Sequence, residues 1–139
     1  MKLSDYVSDF LVQQGVKQVF LITGGCAVHL VDSIARNPDV DYVCCQHEQA
    51  CAMAADAYCR ITGNLGVVVT TSGPGATNLV TGTCCSYFDS IPVLCLTGQV
   101  PRSQMKTGYD VRQLGFQETD VISMFSRITK YSAAVSYTH

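Results

Sequence analysis

Leu3, Tyr6, Val7, Phe10 and Leu11 recur at helical spacing, which predicts an amphipathic helix over residues 3–14. Ser4 is placed to cap its start, and Gly15 can supply a left-handed stop. A short apolar run over 19–22 then ends at Thr23-Gly24-Gly25, and a second helical pattern follows in Val28, Val31, Ile34 and Ala35. This strand, glycine turn and helix unit repeats. A strand is predicted over 40–45, an Ala-rich helix over 47–61 and a valine-rich strand over 65–71. Ser72-Gly73-Pro74-Gly75 turns into a helix running through Ser86, and another strand spans 91–97. Strands that read as continuous apolar runs, separated by helices, predict an α/β fold: an open parallel sheet with helices on both faces. Residues 100–118 lack periodicity and read as a long loop of the functional kind. A short helix over 119–126 and a strand over 129–135 close a single domain spanning 1–135, and residues 136–139 read as a truncated continuation or tail.

Composition narrows the function classes. Of 139 residues, 47% are hydrophobic and 14% charged, enough apolar material for a sizeable core. Nine Lys and Arg against 11 Asp and Glu give a net charge of -2, with no basic cluster, so nucleic acid is not an expected partner. The apolar runs fall far short of the roughly 20 residues that cross a bilayer, and the first residues lack a signal-peptide core. A cytoplasmic protein without a membrane segment is expected. Eight cysteines stand at 26, 44, 45, 51, 59, 84, 85 and 95, without a CxxC pair. They are expected to be thiols, mostly small core residues, and no metal site is expected.

In an open parallel sheet, ligands gather at the carboxyl ends of the strands. Those ends carry Thr23-Gly24-Gly25, Gln46-His47-Glu48, residues 70–75 and Thr97-Gly98-Gln99. The turn Ser72-Gly73-Pro74-Gly75 matches no phosphate-binding fingerprint and reads either as an anion cradle or as a structural turn. Glu48 has Cys44, Cys45, Ala50, Cys51 and Ala52 around it in sequence, so burial would raise its pKa, while a helix N-terminus favours the ionised form. It reads either as a first-turn capping residue or as a working carboxyl group. His47 is a rim or core histidine. The alanines between 50 and 57 are explained by helix propensity or by close approach of another backbone.

Taken together, the motifs resemble a known family. His47-Glu48-Gln49-Ala50 leads to 54–60; then come Thr70-Thr71-Ser72-Gly73-Pro74-Gly75-Ala76-Thr77-Asn78, Asp89-Ser90-Ile91-Pro92, Thr97-Gly98-Gln99-Val100-Pro101, Phe116-Gln117-Glu118 and Ile128-Thr129-Lys130. This series resembles the N-terminal pyrimidine-binding domain of thiamine diphosphate enzymes of the acetolactate synthase type, over nearly the whole chain. The resemblance implies a cofactor held between two chains, its aminopyrimidine by this domain and its diphosphate and Mg²⁺ by a separate domain of the partner. It implies at least a homodimer, and no metal ligand from this chain. It gives Glu48 the catalytic role: a carboxyl group bonded to N1′ of the aminopyrimidine stabilises the imino tautomer, which takes the proton from C2 of the thiazolium. Pro74, Asn78 and Gln117 match cofactor-lining positions, Phe116 matches a pocket wall, and Gly24 and Gly25 match a turn kept bare beside substrate.

The chain also departs from the family pattern. Ile22-Thr23 stand where Tyr-Pro is common, Cys26 replaces Ala, and Asp56-Ala57-Tyr58-Cys59 stand where Gly-Tyr-Ala is usual. The approach to Phe116 over 108–115 is longer than usual. These differences bear on substrate, so the expected activity is acetolactate synthase-like carboligation or decarboxylation of a 2-oxo acid such as pyruvate. Little activity is expected from these 139 residues without the diphosphate-binding domain. The alternatives are a complete small subunit of a two-chain 2-oxo acid decarboxylase and a non-catalytic cofactor-binding or scaffold domain.

Overall fold

The structure, a computed structural model, describes residues 1–106 and 108–135. The expected tail at 136–139 lies outside the described residues. Four strands, β1 (Gln18–Leu21), β2 (Asp41–Cys44), β3 (Gly66–Thr70) and β4 (Val93–Thr97), form one all-parallel sheet in the order β2-β1-β3-β4. Val19 pairs with Tyr42 on one side and Val67 on the other, and Val67 pairs in turn with Leu94. The helices α1 (Leu3–Gln13), α2 (Val28–Arg36), α3 (Glu48–Thr62), α4 (Pro74–Thr77), α5 (Val80–Phe88) and α6 (Val121–Phe125) complete the layers.

Side-chain alternation on β3 divides the core in two. Val67 and Val69 join Leu11, Val16, Val19, Leu21, Ile34 and Val40 beneath α1 and α2. Val68 faces the other way, among Cys51, Ala52, Ala55, Leu79 and Phe125 from α3, α6 and the α4–α5 junction. Helices therefore cover both faces, as predicted. The edge strand β2 departs from prediction: all four of its residues are exposed, including Tyr42 and Val43. An apolar run marks a strand but does not say how much of it the neighbouring helix covers.

Other boundaries differ for local reasons. The start of α1 is not capped by Ser4: the Lys2 backbone N–H donates to Asp5 Oδ2 at 3.2 Å, while Ser4 Oγ accepts from Ser33 Oγ at 2.9 Å. Its stop is as expected, with Gly15 at φ +82°. Its buried side is Val7, Ser8, Leu11 and Val12, whereas Tyr6 and Phe10 stack on each other outside. The expected helix from Ser72 through Ser86 is two helices, because Leu79 N–H bonds back only three residues to Ala76, tightening the backbone there. No strand forms over 129–135; Thr129 Oγ1 donates to the Phe125 carbonyl at 2.8 Å, and the segment pairs with none of the four strands. Among the described residues, no helix is long and apolar enough to cross a membrane, and all eight cysteines are free thiols, although only Cys51 and Cys59 are buried, so most are not the core residues expected.

A polar network ties α3 to α5. Asp56, only 8% exposed, accepts from Arg60 Nε and from Ser86 Oγ, the latter at 2.7 Å, and Arg60 Nη2 donates to Asp89 at 2.6 Å. The hydrogen bond from Arg60, then that from Ser86, holds the Asp56 carboxyl below the usual carboxylate range, against the effect of burial. A depressed native pKa gives stability that is present above the unfolded value of about 3.9 and is lost as pH falls through the native value. Asp56→Asn is therefore expected to lower the urea midpoint at pH 7, with the gap to wild type narrowing as pH falls below about 4. Urea melts at pH 7 and pH 3 check this; an equal gap at both would mean that charge at Asp56 is not the cause.

Candidate functional site

Glu48 is the first residue of α3, directly after the β2 edge. His47 caps the helix, its Nδ1 accepting from Gln49 N–H at 3.1 Å, which places the proton of a neutral ring on Nε2. An acid in the first turn also sits well against the helix dipole. Burial around Glu48 is one-sided: Cys51 and Ala52 are buried behind it, while Cys44 and Ala50 are exposed, and Glu48 itself is half-buried. The sequence neighbours thus enclose it less than expected. The Cys51 thiol is pushed up to about 12, first by burial, then by the neighbouring Cys45 and the charge of Glu48. At neutral pH it is an uncharged wall, not a nucleophile.

Across the sheet, the turn after β3 brings Asn78 to the acid. Pro74 occupies the first position of α4, where its missing N–H costs nothing, and Asn78 follows the helix with its N–H on the Pro74 carbonyl at 3.0 Å. Asn78 Nδ2 then donates to Glu48 Oε2 at 2.9 Å, linking residues 30 positions apart. Among the described residues no donor reaches Glu48 Oε1, which lies 3.6 Å from the place of a Cβ on Gly75. One carboxylate oxygen is therefore fixed and the other is available to a ligand.

Thr71 binds this corner together and was given no role from sequence. A Cβ on Gly24 would meet Thr71 Cγ2 and Oγ1 at 2.7 Å, and one on Gly75 would also meet Cγ2 at 2.7 Å. One threonine side chain thus fills the room left by two glycines, registering the Gly24-Gly25 turn against the Glu48 rim. Gly24, with extended backbone, is explained by this close approach, whereas a Cβ on Gly25 would meet nothing within 4 Å. Gly25 is the member of the pair that borders open space.

The loop between β4 and α6 supplies the rest. Gln117 is exposed, with its backbone in the left-handed region at φ +55° and resting on Gly73, so that it lies beside the Pro74 turn. Phe116 is 76% exposed and borders neither of the two hollows described next. Two hollows lie elsewhere: about 270 Å³ between α1 and α2, and about 470 Å³ bordered by Gln99, Lys106, Glu118 and Asp120. The rim thus gathers Glu48, Asn78, Gly24 and Gly75 through direct contact or through Thr71. Pro74 and Gln117 sit at its margin, and Gly25 and Phe116 face outward. Among the described residues, no three His, Cys, Asp or Glu side chains gather as a metal site.

Comparison with known proteins identifies the family. The family model described as thiamine pyrophosphate enzyme, N-terminal TPP binding domain, matches residues 1–124. The chain is 44% identical over 128 residues to the acetolactate synthase isozyme 3 large subunit of Escherichia coli, covering 92% of this chain and 21% of that protein. It is 44% identical over 130 residues to acetolactate synthase of Arthrospira platensis, covering 91% and 21%. With the probable acetolactate synthase large subunit of Methanocaldococcus jannaschii it shares 43% over 132 residues, covering 95% and 21%. The chain spans about a fifth of the length of these curated relatives.

Proposed function

From the premise that the chain belongs to the family of N-terminal TPP binding domains of thiamine pyrophosphate enzymes, we propose that it forms the aminopyrimidine-binding half of the cofactor site in an acetolactate synthase-like enzyme acting on pyruvate or a related 2-oxo acid. The observation that carries this is the Glu48 carboxylate, with Oε2 held by Asn78 at 2.9 Å and Oε1 open at the rim. Its chemistry fits the pyrimidine end of thiamine diphosphate: a carboxyl oxygen that can share a proton with N1′, a small-residue floor at Gly75, and a proline ring at the edge. When bound, thiamine diphosphate supplies a thiazolium carbon that becomes a nucleophile toward a 2-oxo group.

This chain's part is to hold and move a proton. Asn78 fixes the carboxylate plane, so Glu48 Oε1 presents one geometry to N1′ and loses little freedom on binding. Thr71 keeps the Gly24-Gly25 turn at a set distance from that oxygen, leaving the space beside Gly25 for substrate. Pro74 and Gln117 border the ring position from the turn and the loop. Diphosphate and Mg²⁺ belong, in this assignment, to a diphosphate-binding domain of a second chain.

A homodimer follows from such a divided site, and the outer face of α3 supports it: Ala50, Met53, Ala57 and Ile61 recur there at helical spacing and are all exposed. The test uses the intact protein. Dialysis against a chelator is expected to abolish pyruvate consumption, and thiamine diphosphate with Mg²⁺ to restore it, in a species sedimenting at twice the chain mass or more. Pyruvate consumption that is indifferent to added cofactor in fully stripped protein, or an active monomer, would overturn the assignment.

A further inference from the structure

Gly115 and Glu118 are buried within the loop that leads from β4 to α6. A Cβ on Gly115 would lie 2.8 Å from the Gln104 carbonyl and 2.9 Å from Val100 Cγ2, so the loop's two arms touch backbone to backbone. Glu118 secures that contact. It is 9% exposed, its Oε1 accepts from Lys106 N–H at 2.7 Å, and its Oε2 is buried with no hydrogen-bond partner among the described residues. An unmatched oxygen on a buried carboxyl group costs stability, so its retention points to a role for its position rather than for stability.

What it serves sits next to it. Gln117 has φ +55°, a conformation that a non-glycine residue keeps only where its surroundings hold it. The surroundings are Glu118 on one side and Gly73 on the other. Gly73 has φ +57° and ψ -119°, which suits only glycine, and a Cβ there would overlap the Gln117 carbonyl oxygen and stand 3.0 Å from Gln117 Cβ. The site turn and the loop therefore meet through a missing side chain.

We propose that Gly73 and Glu118 are positioning residues for Gln117: the bare Gly73 lets the Gln117 backbone rest on the cofactor-side turn, and Glu118 clamps the loop beneath it through the Lys106 N–H. This rests on the assignment of Gln117 to the cofactor rim. Neither residue touches the reacting atoms; both act through the backbone that carries the Gln117 side chain.

The experiment is a set of double-mutant cycles in the intact protein, reading thiamine diphosphate affinity by calorimetry and the separate kcat and KM for pyruvate. Gln117→Ala, Gly73→Ala and Glu118→Ala are each expected to weaken the same parameter, by roughly 10- to 100-fold, up to the scale of a 1 Å misplacement of a positioned group. Gly73→Ala or Glu118→Ala combined with Gln117→Ala is expected to add little further loss. Glu118→Gln, which retains an oxygen for Lys106 N–H, is expected to restore most of the loss. Losses that multiply in the double variants would assign Gly73 and Glu118 a purely structural role and overturn the inference while leaving Gln117 at the rim. No effect of Gln117→Ala on either readout would remove Gln117 from the rim, and the inference with it. Should Gly73→Ala fail to fold, the Glu118 variants decide alone.

Discussion

Glu48→Gln in the intact protein is expected to slow both pyruvate turnover and exchange of the cofactor's C2 proton with deuterated solvent by about 10³-fold, within the 10²–10⁴ range of a lost general acid–base group. The change is nearly isosteric. A glutamine can still turn its oxygen to Asn78 Nδ2, preserving the link that now measures 2.9 Å, so the rim keeps its shape. The amide left facing the ring cannot share a proton with N1′, because it neither holds an acidic proton there nor accepts one at neutral pH. Helix stability should change little, since the side chain is half-buried and the His47 cap is untouched. Proton exchange can be followed by NMR in quenched samples without any substrate, which separates cofactor activation from later steps. A loss smaller than tenfold in that exchange would mean that the Glu48 carboxyl is not the group acting on the ring, whatever happens to turnover.

Much of the frame was legible because valine runs and glycine turns are local signals. β3 reads as Gly66-Val67-Val68-Val69-Thr70 in sequence and is buried at every position. The all-parallel order needed only the alternation of such runs with helices. Legibility stopped where a contact depends on the far side of the molecule. The exposed Tyr42 and Val43 look no different in sequence from buried strand residues; what distinguishes them is the place of β2 at the sheet edge. Residues 129–135 have strand character but no ladder partner, and character alone makes no strand. Glu48 was visible as an acid at a strand-to-helix junction, but its bond to Asn78 joins two elements that only the fold brings together, so Asn78 entered through family resemblance. Thr71 lies inside the Thr70–Asn78 motif, and only its contacts with Gly24 and Gly75 separate it from its neighbours. Gly73 and Glu118 lie inside the family-like motifs, and only the backbone angles and the buried oxygen separate them from their neighbours.

The geometry of the acid depends on how α3 is seated, and two glycines set that seat. Gly66 begins β3 directly under α3: a Cβ there would overlap the Ala55 carbonyl oxygen and lie 2.8 Å from its carbon and 3.1 Å from Ala55 Cβ. On α5, a Cβ on Gly82 would overlap Ala52 Cβ and come within 3.3 Å of Ala52 backbone carbon. Since α3 is wedged between the two, it cannot yield to a new methyl group at Gly66 by sliding toward α5, and the obstructing atoms are helix backbone, which no rotamer change can move. Gly66→Ala is therefore expected to destabilise the protein by about 2–3 kcal/mol, the upper part of the usual overpacking range, even after the gain of under about 1 kcal/mol from a stiffer unfolded chain. Because Glu48 opens α3, the same shift should lengthen its contact with Asn78 and weaken thiamine diphosphate binding. Gly25→Ala is the control: its Cβ meets nothing within 4 Å, so its free energy of unfolding from urea melts should stay within about 0.5 kcal/mol of wild type, as for an ordinary surface change. A Gly66→Ala variant that melts with wild type in urea would show that α3 does not rest on β3 at this point, and the distance from Glu48 to Asn78 would then need another explanation.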